Sequence, residues 1–161
     1  VRVYNGPMQN TENGHVGCGG RLFGRVKELQ SLEGLFEGPL VHVTFLTGIP
    51  GAGTSTLLHT FADNSERESG KVFYLDCQAI QPTQDEFLTA LDKVGFQKGA
   101  EERQILCLDH YDHFRLLDAW LRENFAETLG QDAGLVLAIH NLPPSLGVEE
   151  TSVRARCMWT S

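Results

Sequence analysis

The apolar residues of this chain recur with two different periods. Between residues 25 and 36 they are three and four positions apart, which predicts a helix with one buried face. Residues 40–47 are mostly apolar and β-branched, which predicts a strand, and residues 55–61 return to the helical spacing. A strand, a glycine-rich loop and a helix are therefore expected to follow one another.

The same alternation continues toward the C-terminus. In chain order, the pattern predicts a strand over 71–76, a helix over 83–94, a strand over 104–109, a helix over 114–129 and a strand over 134–140. Uninterrupted apolar runs such as 72–75 and 135–139 indicate strands covered on both faces, as in a parallel sheet with crossover helices. We therefore expect an α/β fold of three layers, with helices on both faces of a mainly parallel sheet.

The pattern divides the chain into three regions. Residues 1–20 contain five glycines among polar side chains, too few apolar groups to offset the entropy of ordering, and we predict a flexible lead-in. Residues 21–145 hold the alternating elements and are predicted to form the domain. Residues 146–161 show no clear pattern and are predicted to be an irregular tail.

The charge and the length of the apolar stretches argue against two kinds of partner, nucleic acids and membranes. The 161 residues include 13 Lys and Arg against 21 Asp and Glu, a net charge of −8 that would repel the phosphate backbone of a nucleic acid. The apolar stretches are shorter than the roughly 18 residues that a membrane-spanning helix needs. We expect neither direct nucleic-acid binding by this segment nor a membrane segment.

The cysteines indicate a compartment. The four cysteines form no CxxC pair, which argues against a zinc knuckle. Cys77 and Cys107 stand in apolar runs and are predicted to be buried thiols in a reducing environment. This usage is typical of a cytoplasmic protein.

The loop between the first predicted strand and its helix carries the clearest chemical signal. Its nine residues are Gly48, Ile49, Pro50, Gly51, Ala52, Gly53, Thr54, Ser55 and Thr56. Glycines at the first and sixth positions let the backbone curl so that several N–H groups point inward, and the helix N-terminus adds the positive end of its dipole. This spacing is typical of a phosphate-binding loop, with Ser55 at the position whose hydroxyl binds Mg²⁺.

The loop departs from that motif at one position. Thr54 stands where lysine reaches the β- and γ-phosphates. A charge-assisted hydrogen bond is worth about 1.5 to 3 kcal/mol, and this lysine also stabilises charge in the transition state of phosphoryl transfer. Nucleotide binding through backbone amides is expected to survive, weakened roughly ten- to hundredfold, whereas fast hydrolysis is not.

A second candidate site follows the strand over 104–109. Asp109 ends this apolar strand, where a carboxylate would hold Mg²⁺ through water. The next residue is usually an acid that polarises the attacking water, and here it is His110. Asp109 and His110 are therefore the candidates for a catalytic role. They also begin a cluster of possible metal ligands, completed by Asp112 and His113. On a tight turn these side chains are expected to diverge, and no second cluster would complete the coordination shell, so a metal site there is disfavoured.

These motifs occur in an order that resembles a known family. The sequence Leu-Phe-Gly-Arg-Val-Lys-Glu-Leu over 22–29 resembles the N-terminal box of AAA+ and STAND ATPases, including origin-recognition-type domains and the large LuxR-type regulators related to MalT. The box, the loop, the strand ending in Asp109 and the Pro-Pro pair after the strand over 134–140 are similar to the nucleotide-binding core of those regulators, over about residues 22 to 144. The resemblance implies that Gly24 and Arg25 lie near the adenine.

The same resemblance implies the other roles. Residues 48–56 would wrap the phosphates of ATP or ADP, and Ser55 with Asp109 would hold Mg²⁺. The family orders its strands 5-1-4-3-2, and neither a fifth strand nor a helical lid is recognised after residue 147. The fold is therefore expected to be incomplete, a piece of a longer protein, with the strand before the loop at an edge unless residues 1–4 or a partner cover it.

The departures from the family decide our functional prediction. Besides Thr54 and His110, the strand over 134–140 ends in His140-Asn141 where the family usually has Gly-Arg. We therefore predict a nucleotide-binding domain of a signalling or transcription regulator, with impaired or absent hydrolysis and an attached or partner effector domain.

Several alternatives stay open. The chain could be a remnant or protein-interaction module that binds no nucleotide, its loop a tight strand-to-helix turn. It could also be an active ATPase or a small-molecule kinase with an atypical loop. A dinucleotide-binding domain is less well supported, because the loop lacks the third glycine of GxGxxG, although Asp76 matches the acid that binds ribose.

Overall fold

The computed structural model describes residues 25–37, 43–48, 51–63, 70–130, 132–140 and 155–159, the last of these as backbone alone. The helices are α1 (Val26–Glu33), α2 (Thr54–Asp63) and α3 (Gln84–Val94). The strands are β1 (Val43–Thr47), β2 (Lys71–Asp76), β3 (Gln104–Asp109), β4 (Ala133–Ile139) and β5 (Ala155–Trp159). Short helical segments lie at Gly34–Phe36, Cys77–Ala79, Tyr111–Phe114, Trp120–Phe125 and Ala126–Leu129.

The five strands form one parallel sheet in the order β2-β3-β4-β1-β5. Consecutive side chains of a strand point to opposite faces, so each strand contributes to two apolar layers. On one face, Leu46, Ile105 and Val136 pack against α1 and α2. On the other, Phe45 and Leu106 pack against α3 and the helical segments between β3 and β4. The predicted three-layer α/β fold is confirmed.

The ends of α3 match local signals in the sequence. The Thr83 hydroxyl accepts a hydrogen bond from the Glu86 N–H at 3.4 Å, satisfying a donor at the helix start. Gly95 adopts φ 80° directly after the last helical residue, a left-handed conformation that glycine takes without steric cost. The buried face between these caps comprises Phe87, Ala90, Leu91 and Val94.

The fifth strand corrects two expectations. Residues 155–159 lie in the region predicted to be an irregular tail, yet their backbone pairs with β1 along its whole length, from Val43 beside Ala155 to Thr47 beside Trp159. β1 therefore lies between β4 and β5 and is not an edge strand. The segment is short and includes Arg156, so it lacks the continuous apolar run that marks a buried strand in sequence. The predicted lead-in over 1–20 lies outside the described residues.

The prediction of a helix over 114–129 is confirmed for the residues that it buries, but the segment is not one regular α-helix. Leu117, Leu121 and Phe125 are buried as the spacing predicts. The chain nevertheless forms a π-helix over Trp120–Phe125, with 3-10 helices over Tyr111–Phe114 and Ala126–Leu129. The rings of Trp120 and Phe125 both contact Phe87 on α3, and their separation of five residues suits the i to i+5 repeat of a π-helix.

Gly70 is the position where a side chain would be tolerated least. Its φ is +145°, and an added Cβ would lie 2.3 Å from the Arg103 carbonyl oxygen and 2.9 Å from the Phe36 ring. That carbonyl cannot shift freely, because it accepts from the Lys71 N–H at 2.8 Å.

Gly70→Ala is therefore expected to lower the free energy of unfolding by about 2 kcal/mol or more, through backbone strain and steric overlap. Urea denaturation measures this loss. Gly34→Ala is the matched control, because Gly34 has an ordinary helical conformation with open space around it. Equal stability of the two variants would contradict this account.

Among the helices in the described part of the chain, none combines the length and hydrophobicity that crossing a bilayer requires.

Candidate functional site

The loop after β1 has the backbone that a curled glycine loop needs. Gly51 and Gly53 have φ values of +84° and +79°, in the left-handed region. A Cβ placed on either glycine would meet nothing within 4 Å, so the space beside this part of the loop is open. Gly48 directly follows β1, while Ile49 and Pro50 lie outside the described residues. The described part of the loop therefore has the left-handed backbone that the glycine spacing predicts.

The first turn of α2 contains backbone N–H groups that could donate hydrogen bonds to an anion. α2 begins at Thr54, and the Leu57 N–H already bonds to the Gly53 carbonyl at 2.9 Å. Thr54, Ser55 and Thr56 form this turn, in which backbone N–H groups have no partner within the helix. Leu57, Leu58 and Phe61 anchor the helix to the sheet, because all three are fully buried.

The structure brings Arg25 to the loop from 27 residues away. The Arg25 Nη2 donates a hydrogen bond to the Ala52 carbonyl. Its Nη1 lies 3.6 Å from Glu28 Oε1 and is buried without a hydrogen-bond partner in the described part of the chain. Gly24, which the family resemblance implies is part of the same site, lies outside the described residues.

Asp109 lies at the carboxyl end of β3, on the face covered by α2. It alternates with Ile105 and Cys107, which pack on that face. Only 2% of the residue is exposed. Its Oδ2 accepts from the Tyr74 hydroxyl at 2.8 Å, and its Oδ1 accepts from the His110 N–H at 2.9 Å.

The surroundings of Asp109 explain how its charge is tolerated. In the described part of the chain no lysine or arginine forms an ion pair with Asp109, so hydrogen-bond donors stabilise the buried carboxylate. Burial, followed by the negative charge of Asp109, raises the pKa of Tyr74 well above its usual range. The Tyr74 hydroxyl therefore remains a protonated donor at every physiological pH.

The partly exposed His110 side chain lies beside two carboxylates. Its φ of +49° is the one positive value among the described non-glycine residues. Its Nδ1 lies 3.0 Å from Asp76 Oδ1 and 3.7 Å from Asp109 Oδ2. Asp76 is placed there by strand register, because it pairs with Asp109 at the ends of β2 and β3.

A second histidine and aspartate pair lies beside the first. Asp112 Oδ2 accepts from the His140 N–H at 3.0 Å and lies 3.1 Å from His140 Nδ1. The rings of His110 and His140 are 6.3 Å apart between centroids. The end of β4, where the family usually has a cation, thus holds an imidazole tied to a carboxylate.

The alternative metal cluster does not form. Asp112 is turned toward His140, whereas Asp109 is turned toward Tyr74. Across the described ranges, no group of three or more His, Cys, Asp or Glu side chains is arranged to hold a metal ion.

The sequence did not predict that Tyr74 and Asp76 lie beside Asp109. Tyr74 reads in sequence as one apolar position of a buried strand, and nothing local signals its bond to Asp109. Asp76 could have been found, because the carboxyl ends of neighbouring parallel strands meet at one edge of a sheet. The strand order 5-1-4-3-2 that the resemblance implies already makes β2 and β3 neighbours, as the structure shows.

Sequence comparison adds no relative: no protein-family model matches the chain, and no curated protein matches it. Solved structures do match. Drosophila ORC bound to DNA has a TM-score of 0.65 and 16% identity, over 86% of this chain and 43% of that chain.

Two weaker structural matches have TM-scores below one half. Cdc6p from Pyrobaculum aerophilum has a TM-score of 0.49 and 22% identity, over 86% of this chain and 46% of that one. A chain of the E. coli MS115-1 HORMA:CdnC:Trip13 complex has a TM-score of 0.45 and 19% identity, over 75% and 44%. This chain therefore spans less than half the length of each of these three chains.

At 16% identity, the similarity to Drosophila ORC concerns the fold alone. The chain therefore has a parallel, P-loop-like α/β fold.

Proposed function

We propose that this chain is a nucleotide-binding domain that takes ATP or ADP with Mg²⁺ and hydrolyses ATP poorly or not at all. One observation carries the proposal: Gly51 and Gly53 curl in the left-handed region beside open space, directly before the first turn of α2. A curled loop at a helix N-terminus binds phosphate through backbone N–H groups.

The residues that would hold the ligand follow from this placement. Residues 48–56 would bind the phosphates, and Arg25 with Gly24 would lie toward the base. The Ser55 hydroxyl and the Asp109 carboxylate would hold Mg²⁺, which when bound would neutralise part of the phosphate charge. Hydroxyl and carboxylate oxygens are ligands that Mg²⁺ prefers, so these residues fit the ion.

The proposal of impaired hydrolysis rests on three positions. Thr54 cannot supply the cation that stabilises charge on the transferred phosphoryl group. His110 stands where an acid would orient water, and its Nδ1 is already directed at Asp76. His140 stands where the family usually has a cation and is directed at Asp112.

We further propose that the bound nucleotide acts as a conformational signal in a signalling or transcription regulator. The effector would lie in an attached or partner domain, a proposal supported by the fact that this chain spans 43% of the Drosophila ORC chain it resembles. Direct nucleic-acid binding by this segment is disfavoured by its net charge of −8.

Isothermal titration calorimetry with Mg-ATP and Mg-ADP tests the binding. We expect saturable binding of both nucleotides and none of adenosine, which lacks the phosphates that the loop would hold. Absence of heat at millimolar nucleotide would favour the alternative of a remnant or interaction module.

A phosphate-release assay tests the alternative that the chain is an active ATPase. We expect no turnover above a protein-free control, because the lysine, the acid and the sensor cation are all replaced. Sustained phosphate release from ATP would instead identify an active ATPase with an atypical loop.

A further inference from the structure

The hydrogen bond between Tyr74 and Asp109 is not accounted for by stability alone. A buried carboxylate is costly unless it is paired, and a stable core would not need one at this position. The described part of the chain contains a second tyrosine and aspartate pair, in which buried Tyr111 donates to partly buried Asp118 at 2.9 Å. There, Arg122 balances the charge through two-pronged hydrogen bonds to Asp118. Asp109 has no such arginine in the described part of the chain.

Tyr74 also contacts the helix that follows the glycine loop. Its ring lies 4.1 Å from the His59 ring, between centroids, with 31° between the planes. His59 is four residues after Ser55, so the two share one face of α2. The Tyr74 ring thus contacts the face of α2 that carries Ser55, and the Tyr74 hydroxyl bonds to Asp109.

We infer that Tyr74 is a positioning residue that sets the Asp109 carboxylate relative to Ser55 for Mg²⁺, an inference that rests on the proposed nucleotide site. The hydroxyl engages one oxygen of Asp109 and the His110 N–H engages the other, which fixes the plane of the carboxylate. Each oxygen keeps a lone pair free, since a carboxylate offers about four acceptor sites. Hydrogen-bond partners of this kind orient metal ligands and contribute about 10- to 100-fold to metal affinity.

Tyr74→Phe isolates the hydroxyl. The phenyl ring can still stack on His59, so the variant removes the bond to Asp109 and little else. Tyr111→Phe is the matched control, because it removes the hydroxyl of a second buried tyrosine that donates to an aspartate, and Tyr111 packs on the opposite face of the sheet.

The measurement is the affinity of the full chain for ADP, titrated once with excess Mg²⁺ and once with EDTA. We define the Mg²⁺ ratio as the affinity for ADP with Mg²⁺ divided by the affinity with EDTA. We expect Tyr74→Phe to lower this ratio by about tenfold while leaving the affinity in EDTA unchanged. Tyr111→Phe should leave the ratio unchanged. With Asp109→Asn in the background, Tyr74→Phe should have no further effect on the ratio.

Three outcomes would overturn the inference. An unchanged ratio in Tyr74→Phe, or an equal fall in Tyr111→Phe, would assign Tyr74 a purely structural role while leaving nucleotide binding intact. No binding of ADP or ATP by the unmodified chain would overturn the proposed function and this inference together.

Thermal unfolding establishes that each variant is folded before titration. If Tyr74→Phe does not fold, His59→Ala is the test variant. It keeps the Tyr74 hydroxyl but removes the ring through which Tyr74 contacts α2 and so is positioned relative to Ser55. A lowered Mg²⁺ ratio in His59→Ala supports the positioning role, and an unchanged ratio overturns it.

Discussion

Thr54→Lys is expected to raise the affinity for ATP about ten- to hundredfold. Thr54 is the first residue of α2 and directly follows Gly53, so a long cationic side chain there would start beside the open space next to the loop. A hydrogen bond to a charged group contributes about 1.5 to 3 kcal/mol, and each 1.4 kcal/mol is a factor of about ten in affinity.

The same substitution is expected to destabilise the ligand-free protein slightly. A cation at a helix N-terminus opposes the helix dipole and costs about 0.3 to 1 kcal/mol. Affinity and stability therefore move in opposite directions, which a general improvement in folding would not produce. Calorimetric titration with Mg-ATP and urea denaturation without nucleotide measure the two effects.

Thr60→Lys is the control for added charge. It places the same cation on α2, six residues beyond Thr54, where the Thr60 hydroxyl bonds to the Thr56 carbonyl. In a chain with a net charge of −8, any added cation attracts nucleotide to some degree. Equal gains from Thr54→Lys and Thr60→Lys would show that the loop does not hold the phosphates.

Phe87→Ala is expected to lower the free energy of unfolding by about 3 to 5 kcal/mol. Phe87 is fully buried, and its ring meets those of Phe114, Trp120 and Phe125 at centroid distances of 5.8, 6.1 and 5.1 Å. All three contacts are nearly perpendicular, an arrangement that aromatic quadrupoles favour. Truncation would leave a cavity between α3 and the π-helix.

A loss of this size is a large share of the roughly 5 to 15 kcal/mol that stabilises a domain. Leu88→Ala is the control, because Leu88 is the next residue on α3 and is 37% exposed. Chemical denaturation should separate the two variants by at least about 2 kcal/mol. Similar losses would mean that α3 does not pack through Phe87.

Most of the fold follows from local patterns. β2 and β3 have the bounds that the apolar runs predict, and α3 begins at Gln84, directly after its cap Thr83. Such elements are predictable because hydrophobic period, capping and turn residues all act within a few positions of the chain.

The failures have non-local causes. β5 becomes a strand because its backbone pairs with β1, more than a hundred residues earlier, and its own residues give no continuous apolar run. The π-helix depends on aromatic contacts with α3 that the spacing of Leu117, Leu121 and Phe125 does not encode.

The candidate site divides in the same way. The glycine loop and Asp109 can be identified from residue type and spacing, because the chemistry of phosphate and Mg²⁺ restricts which residues serve. The contacts of Arg25 with Ala52 and of Tyr74 with Asp109 cross 27 and 35 residues. They could not be predicted from either segment separately.

The amino-acid sequence alone therefore determined the alternation of strands and helices, the loop able to curl around an anion, and the loss of its lysine. Each of these depends on the conformational and chemical properties of neighbouring residues. The strand order matches the order 5-1-4-3-2 that the resemblance implied. The tertiary structure alone decided the register that places Asp76 beside Asp109 and the contacts by which Tyr74 links Asp109 to α2. Register arises from burial and hydrogen bonding across the whole chain, which no local pattern contains.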